Sequence, residues 1–349
     1  MLVCTQLRKA CTPTTRHGHD MKAPALNFMQ LVSITLLSFV SAIILAVTFA
    51  GFFSTFRYLE VTSDFRPYWL AIGTAIVLLM PLVWPQMKAW RRWRLAILVT
   101  AVTIVIVNGY AVLPWLWASK PDGAHGSAQT RLKAIAFNVE SSNTRYDEVC
   151  AFVERESPDV VMFCEASGKW ASELFPLQRV LPYHVREDSM DIEIFSRQPM
   201  GPAQVFHFGP QRGFVTVPLN VRGHEVVFAA SHAYPRHWLG AAGFRWRNEM
   251  LEKGLGEAAN SLQSPLIVMG DLNVSPWSPS YKAMIQGSRL EDGRRGFGLL
   301  PTHHGHTRWL WRPIDHCLHS PELSVIRMWT GPDLGSDHLP VLAELRLPQ

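Results

Sequence analysis

Three long hydrophobic runs, separated by short charged segments, occupy most of the first third of this chain, and beyond them hydrophobic positions alternate with polar ones. No charged residue falls between Lys22 and Arg57, between Arg66 and Lys88, or between Arg94 and Lys120. Each stretch reaches the roughly 20 residues that a helix needs to cross a hydrocarbon core. Trp and Tyr lie near the ends, as they do at membrane–water interfaces. The pattern predicts three transmembrane helices within 26–117, the second interrupted by Pro81 and Pro85. Helices buried inside a soluble protein are the rival reading, and three such stretches in succession weigh against it. A cleaved leader fits poorly, because the first run is too long and two more follow.

Beyond Trp117 the period changes. "ASKPDGAHGSAQT" (118–130) is small, polar and rich in turn formers, so it reads as a linker. "RLKAIAFNV", "DVVMFCE", "DIEIFSR", "FVTVPLNV", "HEVVFAASH", "PLIVMGD", "PIDHCLHS" and "HLPVLAELRL" read as strands. "YDEVCAFVERE" places Tyr146, Val149, Phe152 and Val153 on one helical face, and 240–262 reads as a helix of mixed polarity. Mixed strands, hairpins and helices predict an α+β sandwich rather than a purely parallel α/β sheet. The organisation is therefore a tail over 1–25, a membrane region over 26–117, a linker over 118–130 and a soluble domain over 131–349.

Charge divides at the same place. Residues 1–117 hold 10 Lys+Arg against 3 Asp+Glu, and residues 118–349 hold 23 against 25. The net +5 of the whole chain thus belongs to segments flanking the apolar runs, not to the soluble domain, where a general nucleic-acid binder would carry it. Arg8, Lys9, Arg16 and Lys22 precede the first run, and Lys88, Arg91, Arg92 and Arg94 precede the third. Only Arg57 and Arg66 lie in the loop between the first two. The positive-inside rule then puts the N-terminus in the cytoplasm and the soluble domain outside it, periplasmic on a multi-pass inner-membrane protein. Met21 is an alternative start. Cys4 and Cys11 lie in the tail, while Cys150, Cys164 and Cys317 have apolar neighbours and no zinc spacing. They read as small core residues, with a Cys150–Cys164 bridge as the lesser alternative.

Apolar strands in this half end on polar groups suited to a hard cation or a phosphate. "AIAFN" ends at Asn138, "DVVMFCE" at Glu165, "VVFAASH" at His232 and "PLIVMGDLN" at Asp271 and Asn273; "PID" holds Asp315, and "LGSDHLP" offers Asp337 and His338. Strand alternation would turn Asp271 and Asn273 to the same side. Taken alone, "GDLN" is equally a turn closed by an Asx hydrogen bond. Burying an unpaired carboxylate costs several kcal/mol, which a metal or a hydrogen-bonded histidine offsets. Oxygen ligands without a cysteine or histidine cage suit Mg²⁺, or Mn²⁺ as second choice, better than Zn²⁺.

In their order, "FNVESSN", "DVVMFCE", "SHAYP", "GDLNVSPWSPSY", "PIDHCLHS" and "GSDHLPV" resemble the endonuclease/exonuclease/phosphatase superfamily of Mg²⁺-dependent phosphohydrolases. That group includes DNase I, the abasic-site endonucleases, neutral sphingomyelinases and inositol polyphosphate 5-phosphatases. The resemblance covers about 131–347 and is nearest to a bacterial branch with N-terminal membrane helices. It implies a four-layer α/β/β/α sandwich. It also implies Glu165 as principal metal ligand, with Asn138 and Asp337 in the metal shell. Asp271 would orient or deprotonate the attacking water and Asn273 would donate to the phosphate. His338, oriented by Asp315, would contact the scissile phosphate or act as acid and base, and His232 would support the phosphate oxygens or leaving group. Departures from the family are "SHAYP" and "MDIEIFSR", whose Asp191 and Glu193 replace small residues beside the expected substrate groove. His303, His304 and His306 lack the spacing of a partnered metal motif and read as a flexible loop at the groove rim, with Trp309 and Trp311 near substrate or bilayer.

The expectation is a membrane-anchored Mg²⁺-dependent phosphohydrolase that cleaves a phosphodiester or phosphomonoester by in-line attack of water, on phospholipid or lipid-linked substrates. The first alternative is an extracytoplasmic nuclease acting on DNA or RNA. The remote one is a non-catalytic, membrane-tethered binding protein. No protein partner is inferable.

Overall fold

A computed structural model describes residues 28–53, 55–83, 91–117, 131–236, 238–305, 307 and 309–348. The tail over 1–25, the linker over 118–130, Pro85, His306, Cys4 and Cys11 therefore lie outside the described residues. Apolar helices α1 (Phe28–Ala50), α3 (Arg66–Val83) and α4 (Arg91–Val112) follow the three charge-free stretches, with Pro81 inside α3. Stretches Leu31–Ala50, Arg57–Leu82 and Arg91–Val112 are long and apolar enough to cross a membrane. Ile34, Ile76, Met80, Ile97 and Ala101 pack between them, while Leu36, Phe39, Leu78, Leu82, Val99 and Ile106 face outward, each at least 60% exposed. An outward apolar surface of that extent needs a lipid or protein covering. Near one end of the bundle a polar contact ties its members together. Asn108 donates to Thr48 Oγ1 at 3.0 Å and accepts from Arg66 at 3.3 Å. Short helices α2 (Arg57–Glu60) and α5 (Pro114–Trp117) continue the chain at that same end.

The second part is two six-stranded sheets packed face to face. One has the order β11 (Ser324–Thr330), β12 (Val341–Arg346), β1 (Arg131–Asn138), β2 (Val160–Cys164), β4 (Ile192–Ser196), β3 (Tyr183–Glu187). The other has the order β5 (Gln204–His207), β6 (Gly213–Val221), β7 (His224–His232), β8 (Leu266–Asp271), β10 (Asp315–His319), β9 (Glu291–Asp292). Their inner faces share one apolar core, with Ala134, Met162 and Ile194 from the first sheet meeting Val217, Phe228 and Met269 from the second. Helices α6 (Tyr146–Glu156) and α7 (Trp170–Glu173) cover the first sheet through Val149, Phe152, Val153 and Trp170. Helices α8 (Gly240–Glu249), α9 (Glu257–Ser261) and α10 (Pro279–Gly287) cover the second. This is the expected α/β/β/α sandwich. The expected helix over 240–262 is interrupted by a π-helical segment, Met250–Gly256. There Gly254 lies against the Phe208 ring, which a Cβ would approach to 2.6 Å.

Two features of the sheets position the site. In each, the central pair is parallel, β1 with β2 and β7 with β8, and antiparallel strands flank it. Parallel neighbours end on the same side, so Asn138 and Glu165 leave the first sheet together, and His232 stands in register with Asp271 on the second. Cys150, Cys164 and Cys317 are all free, so the Cys150–Cys164 bridge, the lesser alternative, is not formed. Cys164 points into the core between the sheets, whereas Cys150 lies with the outer helix layer, so the sheet itself separates them.

Close approach of β7 and β8 depends on Gly270. Its φ is +137°, and a Cβ there would stand 2.0 Å from the Ser231 carbonyl oxygen. Gly270→Ala is expected to destabilise the protein by roughly 3 kcal/mol, read as a lowered thermal unfolding midpoint of the full chain. An unchanged midpoint would mean that the two strands are not held this tightly.

Candidate active site

The sheets meet at one rim in a polar seam. From the first sheet, Asn138 donates through Nδ2 to Glu165 Oε1 at 3.0 Å and to Asp271 Oδ2 of the second sheet at 3.2 Å. Its Oδ1 accepts from the Glu140 backbone N–H at 3.1 Å. Glu165 follows β2 with φ +57°, which turns the chain sharply and leaves the side chain 31% exposed. Asp271, by contrast, is 1% exposed. Its Oδ1 accepts from the Asn273 backbone N–H at 2.8 Å, and its Oδ2 from Asn273 Nδ2 at 3.0 Å. Asp271 and Asn273 are therefore not brought together by strand alternation. β8 ends at Asp271, Asn273 takes φ +52°, and an Asx turn folds the amide back onto the carboxylate. The turn and the candidate site are the same structure.

His338 closes the seam from the first sheet's side, just before β12. Its Nδ1 is 2.8 Å from Asp315 Oδ2, and its Nε2 lies 3.8 Å from Asp271 Oδ2 and 3.9 Å from Asp337 Oδ1. Burial alone would lower the pKa of this imidazole, but the Asp315 and Asp271 carboxylates push it up to about 10. Burial also disfavours charge on Asp315, yet His338 holds that carboxyl below the usual range. Asp271 goes the other way. Burial, and then repulsion from Asp315, raise it to about 7 against the pull of His338. The geometry therefore holds an imidazolium between one firmly ionised carboxylate and one that exchanges a proton near neutral pH.

His232 is completely buried beside them, with Nε2 3.6 Å from Glu165 Oε1. Neither ring nitrogen forms a well-aligned hydrogen bond among the described residues. Burial, reinforced by Arg212 and His338, keeps it neutral by lowering its pKa well below 6.5. A buried imidazole held only by a weak approach to the Met190 backbone and by Glu165 at 3.6 Å keeps hydrogen-bonding capacity for a ligand oxygen.

Asp337 is set apart from Glu165 and Asn138. It accepts from His303 Nε2 at 3.1 Å, and its backbone N–H donates to Glu140 Oε2 at 3.0 Å. Burial opposes its ionisation, but the His303 hydrogen bond and the His338 charge hold it at about 2. The acid and histidine groupings with ligand atoms within 4.8 Å of one another are Asp271, Asp315, His338 and His303, Asp337, His338. Glu165 belongs to neither. Glu165 and Asp271 offer carboxylate oxygens to the cleft, with the Asn138 amide buried between them and no cysteine, a donor set that fits a hard divalent cation.

Several participants had no signal in the sequence reading. Thr302 Oγ1 accepts from the Asp315 backbone N–H at 3.2 Å. Glu140 positions Asp337, and Arg312 donates to His303 Nδ1 at 2.7 Å. His303 itself is not on a loose rim loop. Its backbone bridges to both Arg312 and His338, and its ring lies 4.5 Å from that of His338. Glu193, expected at the groove, instead pairs in the sheet with Arg186 at 3.1 Å and with His184. The cleft over the seam has a volume of about 710 Å³, and Glu165, Asp271, Asn273, Asp337 and His338 line it.

Residues 135–338 match the model of the Endonuclease/Exonuclease/phosphatase family. Among solved structures the fold is similar to an endonuclease/exonuclease/phosphatase from Beutenbergia cavernae, at 21% identity and TM-score 0.50 over 63% of this chain and 72% of that one. It is also similar to D. rerio TDP2 complexed with single strand DNA product, at 15% identity and TM-score 0.52 over 62% of this chain and 99% of that one. A family protein from Bacteroides thetaiotaomicron matches at 19% identity and TM-score 0.50, over 63% and 99%. No curated protein matches the sequence.

The raised pKa of His338 rests mainly on Asp315. In Asp315→Asn the imidazole is expected to lose its proton well below 10, toward the ordinary 6.5, as followed by NMR titration of labelled histidine. Titration still near 10 in the variant would assign the effect elsewhere.

Proposed function

The chain belongs to the Endonuclease/Exonuclease/phosphatase family and is a metal-dependent phosphoric ester hydrolase; we propose that it works at a membrane, cleaving phosphodiester or phosphomonoester bonds of phospholipid or lipid-linked substrates. The domain division proposed is three membrane helices within 26–117, a linker, and a catalytic domain over 131–349 on the extracytoplasmic side. The observation that carries the chemistry is the Asp315–His338–Asp271 arrangement beside Asn138 and Glu165.

Glu165 and Asn138, with Asp337 farther along the cleft, are the residues proposed to hold Mg²⁺, or Mn²⁺ in its place, which when bound would neutralise phosphate charge and acidify water. Asp271 is poised to take a proton from the attacking water, because a base with a pKa near the working pH combines ionisation with driving force. Asn273 Nδ2 donates to Asp271 Oδ2 and to the Ala233 carbonyl, each at 3.0 Å, so its proposed donation to the phosphate would exchange one of these bonds. His338 remains an imidazolium and donates to a non-bridging oxygen as negative charge builds there. Neutral His232 stands ready to donate on the other side or toward the leaving oxygen. Asp315 fixes the His338 tautomer and orientation without touching substrate.

A nuclease is the second reading. D. rerio TDP2, of the same architecture, was solved with a single strand DNA product, and Arg57, Arg236 and Arg312 line the cleft here. Against it stands the absence of a basic excess in the soluble half, since non-specific nucleic-acid affinity rests on phosphate neutralisation.

The full chain in detergent micelles is expected to hydrolyse a generic aryl phosphodiester with Mg²⁺ and to stop with EDTA. Asp271→Asn and His338→Ala should each lower kcat by about 10²–10⁴-fold. A panel of phospholipid, DNA and RNA separates the two readings by preference. Wild type as inert as the variants on every substrate would favour the binding-protein alternative instead.

A further inference from the structure

The segment joining α1 to α3 is built into the catalytic half. It carries two acids, Glu60 and Asp64, both 0% exposed. Glu60 Oε1 accepts from the Ser278 and Ser280 hydroxyls, its Oε2 accepts from the fully buried Arg247, and Arg236 NH1 lies 3.9 Å away. Asp64 pairs with Arg236 and stands 3.9 Å from Arg312 NH1. Arg247 also donates to the Asn273 carbonyl at 3.3 Å. The same lattice therefore reaches the turn that holds a candidate catalytic amide. The Tyr68 hydroxyl donates to the Trp309 and Trp311 carbonyls at 3.3 and 3.1 Å. Trp115, beyond α4, packs with Trp277 of the soluble half.

Parting buried ion pairs leaves charges unpaired at a cost of several kcal/mol, so this segment does not swing like a tether. Its residues Arg57, Tyr58, Val61 and Phe65 line the same cleft as Glu165, Asp271 and His338. Arg57 donates through NH2 to the Tyr58 hydroxyl at 2.6 Å, while its NH1, buried, meets no acceptor among the described residues. That buried nitrogen lies beside Gly240, while the residue itself lines the cleft. A cleft-lining guanidinium with no carboxylate partner among the described residues fits an anionic group.

The wall also sits at the helix ends. Gly51, directly after α1, touches the segment so closely that a Cβ there would stand 3.0 Å from the Ser63 backbone nitrogen. Phe52, Phe53, Phe56 and Trp309 are 49%, 55%, 62% and 87% exposed around it. Aromatic side chains at that level match the belt of a membrane–water interface.

Resting on the hydrolase reading above, we propose that the α1–α3 segment is a fixed wall of the catalytic cleft. On it, Arg57 and Tyr58 select substrates whose phosphate is carried by a lipid of the surrounding bilayer. The phosphate enters from the membrane side, with Arg57 beside it, while the lipid tail stays among the apolar helices and the aromatic rim. Soluble esters enter the same cleft without using this wall.

The test uses the full chain reconstituted in vesicles of phosphatidylcholine, phosphatidylethanolamine and phosphatidylglycerol. Release of water-soluble phosphate ester from the vesicles is compared with hydrolysis of bis(4-nitrophenyl) phosphate. In Arg57→Ala and Tyr58→Ala the ratio of lipid to aryl turnover is expected to fall at least about tenfold, a loss of about 1.4 kcal/mol in discrimination. Tyr58 is 71% exposed, so its truncation leaves the fold intact. Phe175→Ala, also an exposed aromatic (60%) but on the outer layer of the first sheet, should leave the ratio unchanged. An unchanged ratio in the wall variants, or aryl or single-stranded DNA hydrolysis without lipid turnover in wild type, overturns the wall's role while the hydrolase reading stands. Absence of any turnover, aryl diester included, overturns both.

Discussion

The contact on which the site depends is the 2.8 Å pairing of His338 with Asp315. It joins the two sheets, because His338 precedes β12 of the first and Asp315 begins β10 of the second. Between their inner faces the sheets meet through apolar side chains, which carry no charge and tolerate small shifts. At the far side Arg222, after β6, pairs with Asp159, before β2, at 2.9 Å. At the His338 rim they meet through ionised groups, and a buried charge is stable only where its partner is fixed. The Asn138 amide makes the same crossing to Asp271. The relative placement of the sheets and the electrostatics of the site are thus one constraint. Burial raises the Asp271 pKa, Asp315 is close enough to raise it further by repulsion, and His338 is close enough to moderate both.

What the sequence made legible follows from burial. The eight strands that hydrophobic pattern identifies are the eight interior strands of the two sheets. The four it passes over, β3, β5, β9 and β11, are the four sheet edges. Edge strands are half solvated, as the exposed residues of β3 and β5 illustrate, so they lack the apolar run or clean alternation that marks a strand. In the same way, Asn138, Glu165, His232, Asp271 and Asp315 could be found because each interrupts or ends an apolar run. Glu140, Thr302 and Arg312 could not, since they act from loops that carry no periodic pattern, and the partner of Glu140 is also far off in sequence. His303 was visible as a histidine, but only its backbone bridge to His338 makes it part of the site. At Asp271 two readings of the sequence stand side by side, strand alternation and an Asx turn. The structure takes the turn, which brings the same two neighbours together by a different geometry.

The protein contains two buried polar lattices, and their contrast bears on what each does. Around Glu60 both carboxylate oxygens are taken, by two serine hydroxyls and a guanidinium. Such a group is satisfied, and it resists movement and further binding. Around Asp271 and His338 the accounts are incomplete. His338 Nε2 stops 3.8 Å short of Asp271, His232 has no aligned partner, and Glu165 reaches toward the cleft. Unmet hydrogen-bonding capacity in a buried site is costly unless a ligand completes it. The satisfied lattice therefore reads as scaffold and the unsatisfied one as workplace, and Arg247, which spans from Glu60 to the Asn273 carbonyl, ties the second to the first.

That tie changes what counts as the catalytic unit. The family match ends at residues 135 and 338, and the sandwich alone would be taken as the enzyme. Yet Glu60 and Asp64, far outside those bounds, neutralise Arg247, Arg236 and Arg312. Without them three arginines would gather unpaired along one side of the cleft. Their mutual repulsion and desolvation would then be felt at His303 and Asn273, which two of them touch. The segment between the first two apolar helices thus belongs to the cleft itself, because it supplies the counter-charges that let the cleft exist in this form.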